Sequence, residues 1–194
     1  MSHLKVVAQL LMLTCMGCAQ TPQVNRTLTA PFDVSEAYVA SGYMGDGEAG
    51  KPVQMRNVTG EMPRPGDTDG LCIKVAYQPG AKGWAGVYWL SPANNWGDKP
   101  GNRIQGASKI TFWAVGAKGG EILEFKAGGV SDKQYRDSFE KSMGSVALTK
   151  QWKQYTISLA GQKTVSVLGG FAWLAKATDN PDGLTFYLDA IRYE

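Results

Sequence analysis

From residue 32 onward the apolar residues come in short alternating runs separated by Gly, Pro, Asn and Asp, and no window carries a helical stripe. The runs predict strands over residues 32–43, 53–62, 72–77, 84–90, 109–115, 121–127, 154–159, 165–175 and 184–193. A more charged segment, residues 128–150, is expected to hold a loop or an irregular strand pair around 138–148. Turn chemistry marks the boundaries at Pro65-Gly66-Asp67, Pro79-Gly80, Lys118-Gly119-Gly120 and Asn180-Pro181-Asp182-Gly183. Many short strands with regular turn signals and no repeat predict an all-β fold, a two-sheet antiparallel β-sandwich of jelly-roll type.

Alternation assigns faces, because successive strand side chains point opposite ways. Ile110, Phe112 and Ala114 form one apolar set, as do Leu123 with Phe125, Tyr155 with Ile157 and Leu159, and Leu184 with Phe186 and Leu188. The intervening positions mix polar groups with isolated aromatics, as expected of a sheet with one wet side. In residues 83–97, GWAGVYWLSPANNWG, the rule sends Ala85, Val87 and Trp89 inward and Trp84, Gly86 and Tyr88 outward. Flat aromatic rings beside short amides suit a sugar, whose C–H face stacks on an indole while Asn bonds its hydroxyls. The sugar-stacking candidates are therefore Trp84, Tyr88 and Trp113. Asn94, Asn95 and Trp96 form a loop edge, and Glu124 and Lys126 are hydroxyl or uronate partners. The competing reading of any strand tryptophan is core.

The chain has 194 residues, enough for one domain and a short extension. Residues 1–17 carry a lone Lys5 and an apolar run too short to span a bilayer, the pattern of a signal peptide. Their end, Cys15-Met16-Gly17-Cys18, resembles a bacterial lipobox, although Cys15 stands where leucine is usual. The resemblance implies lipidation of Cys18 and tethering to the cell envelope; the alternative is ordinary cleavage and secretion. Residues 18–31 read as a polar linker, and 32–194 as the domain.

The net charge is +3 with both signs dispersed, so nucleic acid is not an expected partner. His3 is the only histidine and falls in the signal segment, which removes Ser-His-Asp, Cys-His and histidine-bearing zinc sites from consideration. With Cys18 lipidated, Cys72 stands alone in an apolar strand pattern as a buried thiol.

The blocks GWAGVYW…NNWG, ITFWAVGAKGGEILEFKAGG, LTKQWKQYTISLAG, LGGFAWLA and TFYLDAIRYE together resemble non-catalytic carbohydrate-binding modules of the galactose-binding-like jelly-roll type, over residues 41–194. That resemblance implies glycan binding on a bacterial surface protein, often with a structural calcium near the termini. It places a calcium ligand at Asp189, with Asp46 and then Asp33 as partners. Ala190 follows Asp189 where a second Asp is frequent in the family.

The function expected is binding of polysaccharide without cleavage, by a monomer at the envelope. One alternative is a structural or protein-interaction lipoprotein. A less favoured one is a jelly-roll polysaccharide lyase or glycosidase. Residues 124–128 resemble the F-K-A-G block of family-seven alginate lyases, but those enzymes also use a histidine. Glu121 and Glu124 are three apart on one strand, face opposite ways and cannot form a glycosidase carboxylate pair alone. Residues 135–137, Tyr-Arg-Asp, are expected to form a solvated loop.

Overall fold

The structure is a computed structural model that describes residues 25–194. The expected signal segment, Cys18 and the start of the expected linker lie outside the described residues. Among the described residues there are thirteen strands: β1 (Thr27–Thr29), β2 (Phe32–Asp33), β3 (Val39–Gly45), β4 (Val53–Thr59), β5 (Leu71–Tyr77), β6 (Trp84–Leu90), β7 (Arg103–Gln105), β8 (Lys109–Gly116), β9 (Ile122–Gly128), β10 (Glu140–Ala147), β11 (Lys153–Ser158), β12 (Gly169–Lys176) and β13 (Leu184–Tyr193). One sheet runs β10-β9-β12-β6-β3, and a second runs β11-β8-β13-β5-β4 with β2 added beside β13. The two form an antiparallel sandwich.

The core is where the alternation placed it. Ile110, Phe112, Ala114, Leu123, Phe125, Ile157, Phe186 and Leu188 are all buried in one cluster. Phe112 of β8 bridges the sheets, with its ring 4.7 Å from Phe125 and 5.0 Å from Phe171, and 5.5 Å from Tyr155 of its own sheet. Trp89 is core as well, edge-on to Phe171 at 5.4 Å.

Several boundaries differ from the pattern reading. The expected strand over 32–43 is broken by a 3-10 turn, Val34–Glu36, where the Glu36 carboxylate accepts from the Asp33 amide. Residues 138–148 supply the single strand β10, irregular between Ser142 and Ser145. Part of the expected linker is ordered: Thr27–Thr29 pairs in parallel with Arg103–Gln105, and Leu28 packs against the core. Leu28 is a single apolar residue in a polar stretch, so no periodicity could mark it.

The outer face of the six-stranded sheet is covered over its middle and exposed at its β4 and β11 edges. Met62, from the β4–β5 loop, covers Val58, Cys72, Val115 and Tyr187, and its carbonyl accepts from the Trp152 indole. Burial, with Asp189, Glu61 and Asp67 adding to it, pushes the Cys72 thiol up to about 11, so it stays protonated and inert.

Two predictions follow from the packing. Phe112→Ala removes the ring shared by both sheets and is expected to cost about 3–5 kcal/mol, read as a shifted midpoint in urea unfolding. The second concerns Asp46. Burial works against its charged form, but the Tyr77 hydroxyl and the amides of Gly80 and Lys82 hold its carboxyl below the usual range. A depressed folded value means its stabilisation is present above the ordinary carboxyl pKa of about 3.9 and is lost as pH falls further. Melting temperature should drop in acid, and Asp46→Asn should lower it at neutral pH while flattening that acid limb.

Candidate functional site

The outer face of the five-stranded sheet is partly open and carries Trp84. Register fixes what stands beside what. Across one row lie Ser145 of β10, Glu124 of β9, Leu174 of β12, Gly86 of β6 and Met44 of β3. The next row one way brings Lys176 beside Trp84; the next row the other way holds Ser142, Lys126, Ala172, Tyr88 and Gly42.

The Trp84 end is a cleft of about 290 Å³ lined by Trp84, Ile122, Glu124, Ser145, Leu174 and Lys176, with Asp179 at its rim. Trp84 is 37% exposed, and it is the one exposed tryptophan of the six. Its position depends on Asp46, whose bonds to the 78–83 turn pin the approach to β6. It depends equally on Gly45, at φ 62°, where a Cβ would stand 2.3 Å from the Trp84 carbonyl oxygen. On the far side Glu124 accepts from the Ser142 hydroxyl at 2.6 Å, which orients one carboxylate oxygen. Asp179 sits in a turn clamped by buried Asn180, whose side chain accepts from the Ile122 amide and donates to the Ile122 and Lys176 carbonyls.

The other half of this face is closed by two loops. Trp96 lies over Gly42, where a Cβ would stand 2.9 Å from its ring, and meets Tyr88 edge-on at 5.7 Å. Tyr88 therefore points outward as expected but is only 4% exposed. Its hydroxyl donates to the Gly128 carbonyl at 2.9 Å, and burial raises its pKa. Lys126 hangs 5.6 Å over the Tyr88 ring and pairs with Glu140. Desolvation works against its charge, but Glu140 and Tyr88 hold the ammonium above its ordinary value.

The loop carrying Trp96 is shaped by Asn95, which is buried. Its amide donates to the Ser91 and Lys99 carbonyls, and its oxygen accepts from the Gly97 and Lys99 amides. Asn94 is exposed at φ 60°, with its amide on the Ser41 hydroxyl. The partner loop, residues 129–139, is no free solvated strip. Tyr135 donates its amide to Gly97, Lys133 pairs with Asp98, and Val130 packs onto the Tyr88 cluster. Asp137 anchors it by accepting from the Val130 and Leu168 amides. Burial pushes this carboxyl up to about 7, against those amide bonds.

Other expected site residues stand elsewhere. Trp113 is on β8, in the opposite sheet, so it cannot share a ligand face with Trp84. Its ring is topped by the Arg64 guanidinium at 5.2 Å. Of the three calcium candidates, Asp33 and Asp189 line one pocket with Asp67 and Asp69, whereas Asp46 stands apart. Asp46 faces three donors, Asp189 is 2.5 Å from Arg64, and Asp33 is 3.7 Å from Arg192. Among the described residues no group of three or more His, Cys, Asp or Glu side chains is arranged to hold a metal ion.

Of the expected ligand residues, Trp84 and Glu124 come together in the open cleft, while Tyr88, Trp96 and Lys126 gather in the closed half. Pattern reading missed Ile122, Ser145, Leu174, Lys176 and Asp179. Leu174 and Lys176 carry the same period-two signal as Trp84, but the pairing of β12 with both β6 and β9 joins distant segments and leaves no local mark.

No protein-family model and no curated protein sequence matches this chain. Solved structures do. The chain is similar to the family 11 carbohydrate-binding module of the cellulosomal cellulase Lic26A-Cel5E of Clostridium thermocellum, at 16% identity and TM-score 0.54, over 86% of this chain and 95% of that one. It is also similar to the Clostridium thermocellum family 11 module in complex with a β-1,3-1,4-mixed-linked tetrasaccharide, at 15% identity and TM-score 0.55, over 84% and 93%. A family 30 carbohydrate-binding module matches at 13% identity and TM-score 0.53, over 86% and 94%. At these identities the likeness establishes the fold: this chain has the β-sandwich architecture of carbohydrate-binding modules.

Proposed function

We propose that this protein is a non-catalytic glycan-binding module, held at the cell envelope through a lipid on Cys18, and that the Trp84 cleft is its binding site. One observation carries the reading. Trp84 is the one exposed tryptophan, at 37%, and it lines a cleft that combines apolar Leu174 and Ile122 with polar groups. A fully apolar cleft would suit a lipid or a peptide side chain. Leu174 and Ile122 flanked by Glu124, Ser145, Lys176 and Asp179 instead match a ligand with an apolar ring face and hydroxyl edges. The fold shared with modules of families 11 and 30, one solved with a bound tetrasaccharide, supports the same conclusion.

The test is affinity gel electrophoresis of the chain on a broad polysaccharide panel, with reducing-end assays on the same mixtures. Retardation without release of reducing ends is expected; release of product would make it an enzyme, and no retardation on any glycan would leave a protein-interaction role. Trp84→Ala should weaken retention by about 1–3 kcal/mol, the scale known for base stacking on aromatic side chains, without lowering the melting temperature appreciably. Cys18→Ala is expected to move the protein from the membrane fraction to the soluble exported fraction.

A further inference from the structure

We propose that the Trp84 cleft selects neutral glycans over polyuronates, with the sugar chain lying across the strands from β6 through β12 and β9 to β10. This rests on the glycan-binding reading above. Three charged side chains line the cleft: Glu124, Asp179 and Lys176. None of the three belongs to an ion pair among the described residues, so two carboxylates face the ligand against one ammonium. Lys126, the second cation that a uronate would need, is on the same sheet face but is withdrawn into the closed half by Glu140 and Tyr88. No arginine lines the cleft.

Each carboxylate is a strong acceptor for sugar hydroxyls, because charge-assisted hydrogen bonds are about twice as strong as neutral ones. Glu124 is already oriented by Ser142. The same groups oppose an acidic sugar, since like charges brought together at an interface cost several kcal/mol. The whole chain carries only +3 with both signs dispersed, so the local arrangement of charges in the cleft sets the preference. The ligand path is also short. From β6 to β10 there are three inter-strand steps, about 14 Å at the usual strand spacing. Along the strands the path is stopped by Trp96 and Tyr88.

The test compares the full chain on gels containing a neutral β-glucan or galactan with gels containing polygalacturonate or alginate, at low and raised salt. Retention by a neutral polymer that persists at raised salt, with polyuronate affinity at least about tenfold weaker, is expected. The double variant Glu124→Gln/Asp179→Asn should gain salt-sensitive polyuronate retention, and adding Lys176→Ala should remove that gain. Polyuronate retention equal to or above neutral retention in the unaltered chain overturns the selectivity while leaving glycan binding intact. Retention by neither polymer class overturns both.

Discussion

The contact on which this structure depends is the meeting of Phe112, from one sheet, with Phe125 and Phe171, from the other. Once those rings interlock, alternation along β8, β9 and β12 leaves no freedom over which side chains face outward. Offset and edge-on aromatic pairs add about 0.5–1.5 kcal/mol each beyond area burial, so the inter-sheet register is held by geometry as well as by apolar area. The cleft is a consequence of that register. Glu124 is outward because Leu123 and Phe125 are inward, and Leu174 is outward because Trp173 is not.

The loops obey a second rule, which is that each is fastened by one polar side chain bonding several backbone groups. Asp46 fastens the turn before Trp84, Asn180 the turn carrying Asp179, Asn95 the loop bearing Trp96, and Asp137 the loop bearing Tyr135. Three of the four are buried and Asp137 nearly so, where an unbonded polar group would be costly. The effect on function is unequal. Asp46 and Asn180 hold the open end in shape, whereas Asn95 and Asp137 hold the cover over Tyr88. A single sheet face is thereby divided into a cleft and a closed apolar cluster.

That division explains how expected ligand residues came to have structural roles. Tyr88 and Lys126 have the residue types and the outward direction of sugar contacts, yet they bond Gly128 and Glu140 beneath two loops. Trp113 carries the same signal on the far sheet and stacks with Arg64, which in turn meets Asp189. Asp189 thus answers a guanidinium rather than a ligand on the opposite sheet.

The sequence by itself determined the fold class, the inward faces of nearly every strand, and the identity of Trp84 and Glu124 as outward groups. Those properties follow from local alternation and turn residues, which need no partner strand to be known. Only the tertiary structure decided that β12 lies between β6 and β9, so that Leu174, Lys176 and Asp179 join Trp84, and that β8 lies in the other sheet with Trp113. Strand order is set by packing between segments remote in the chain, and period-two patterning is blind to it. The covering of Tyr88 by Trp96 was equally beyond local reading, since an aromatic on a loop looks the same whether it meets a ligand or its own sheet.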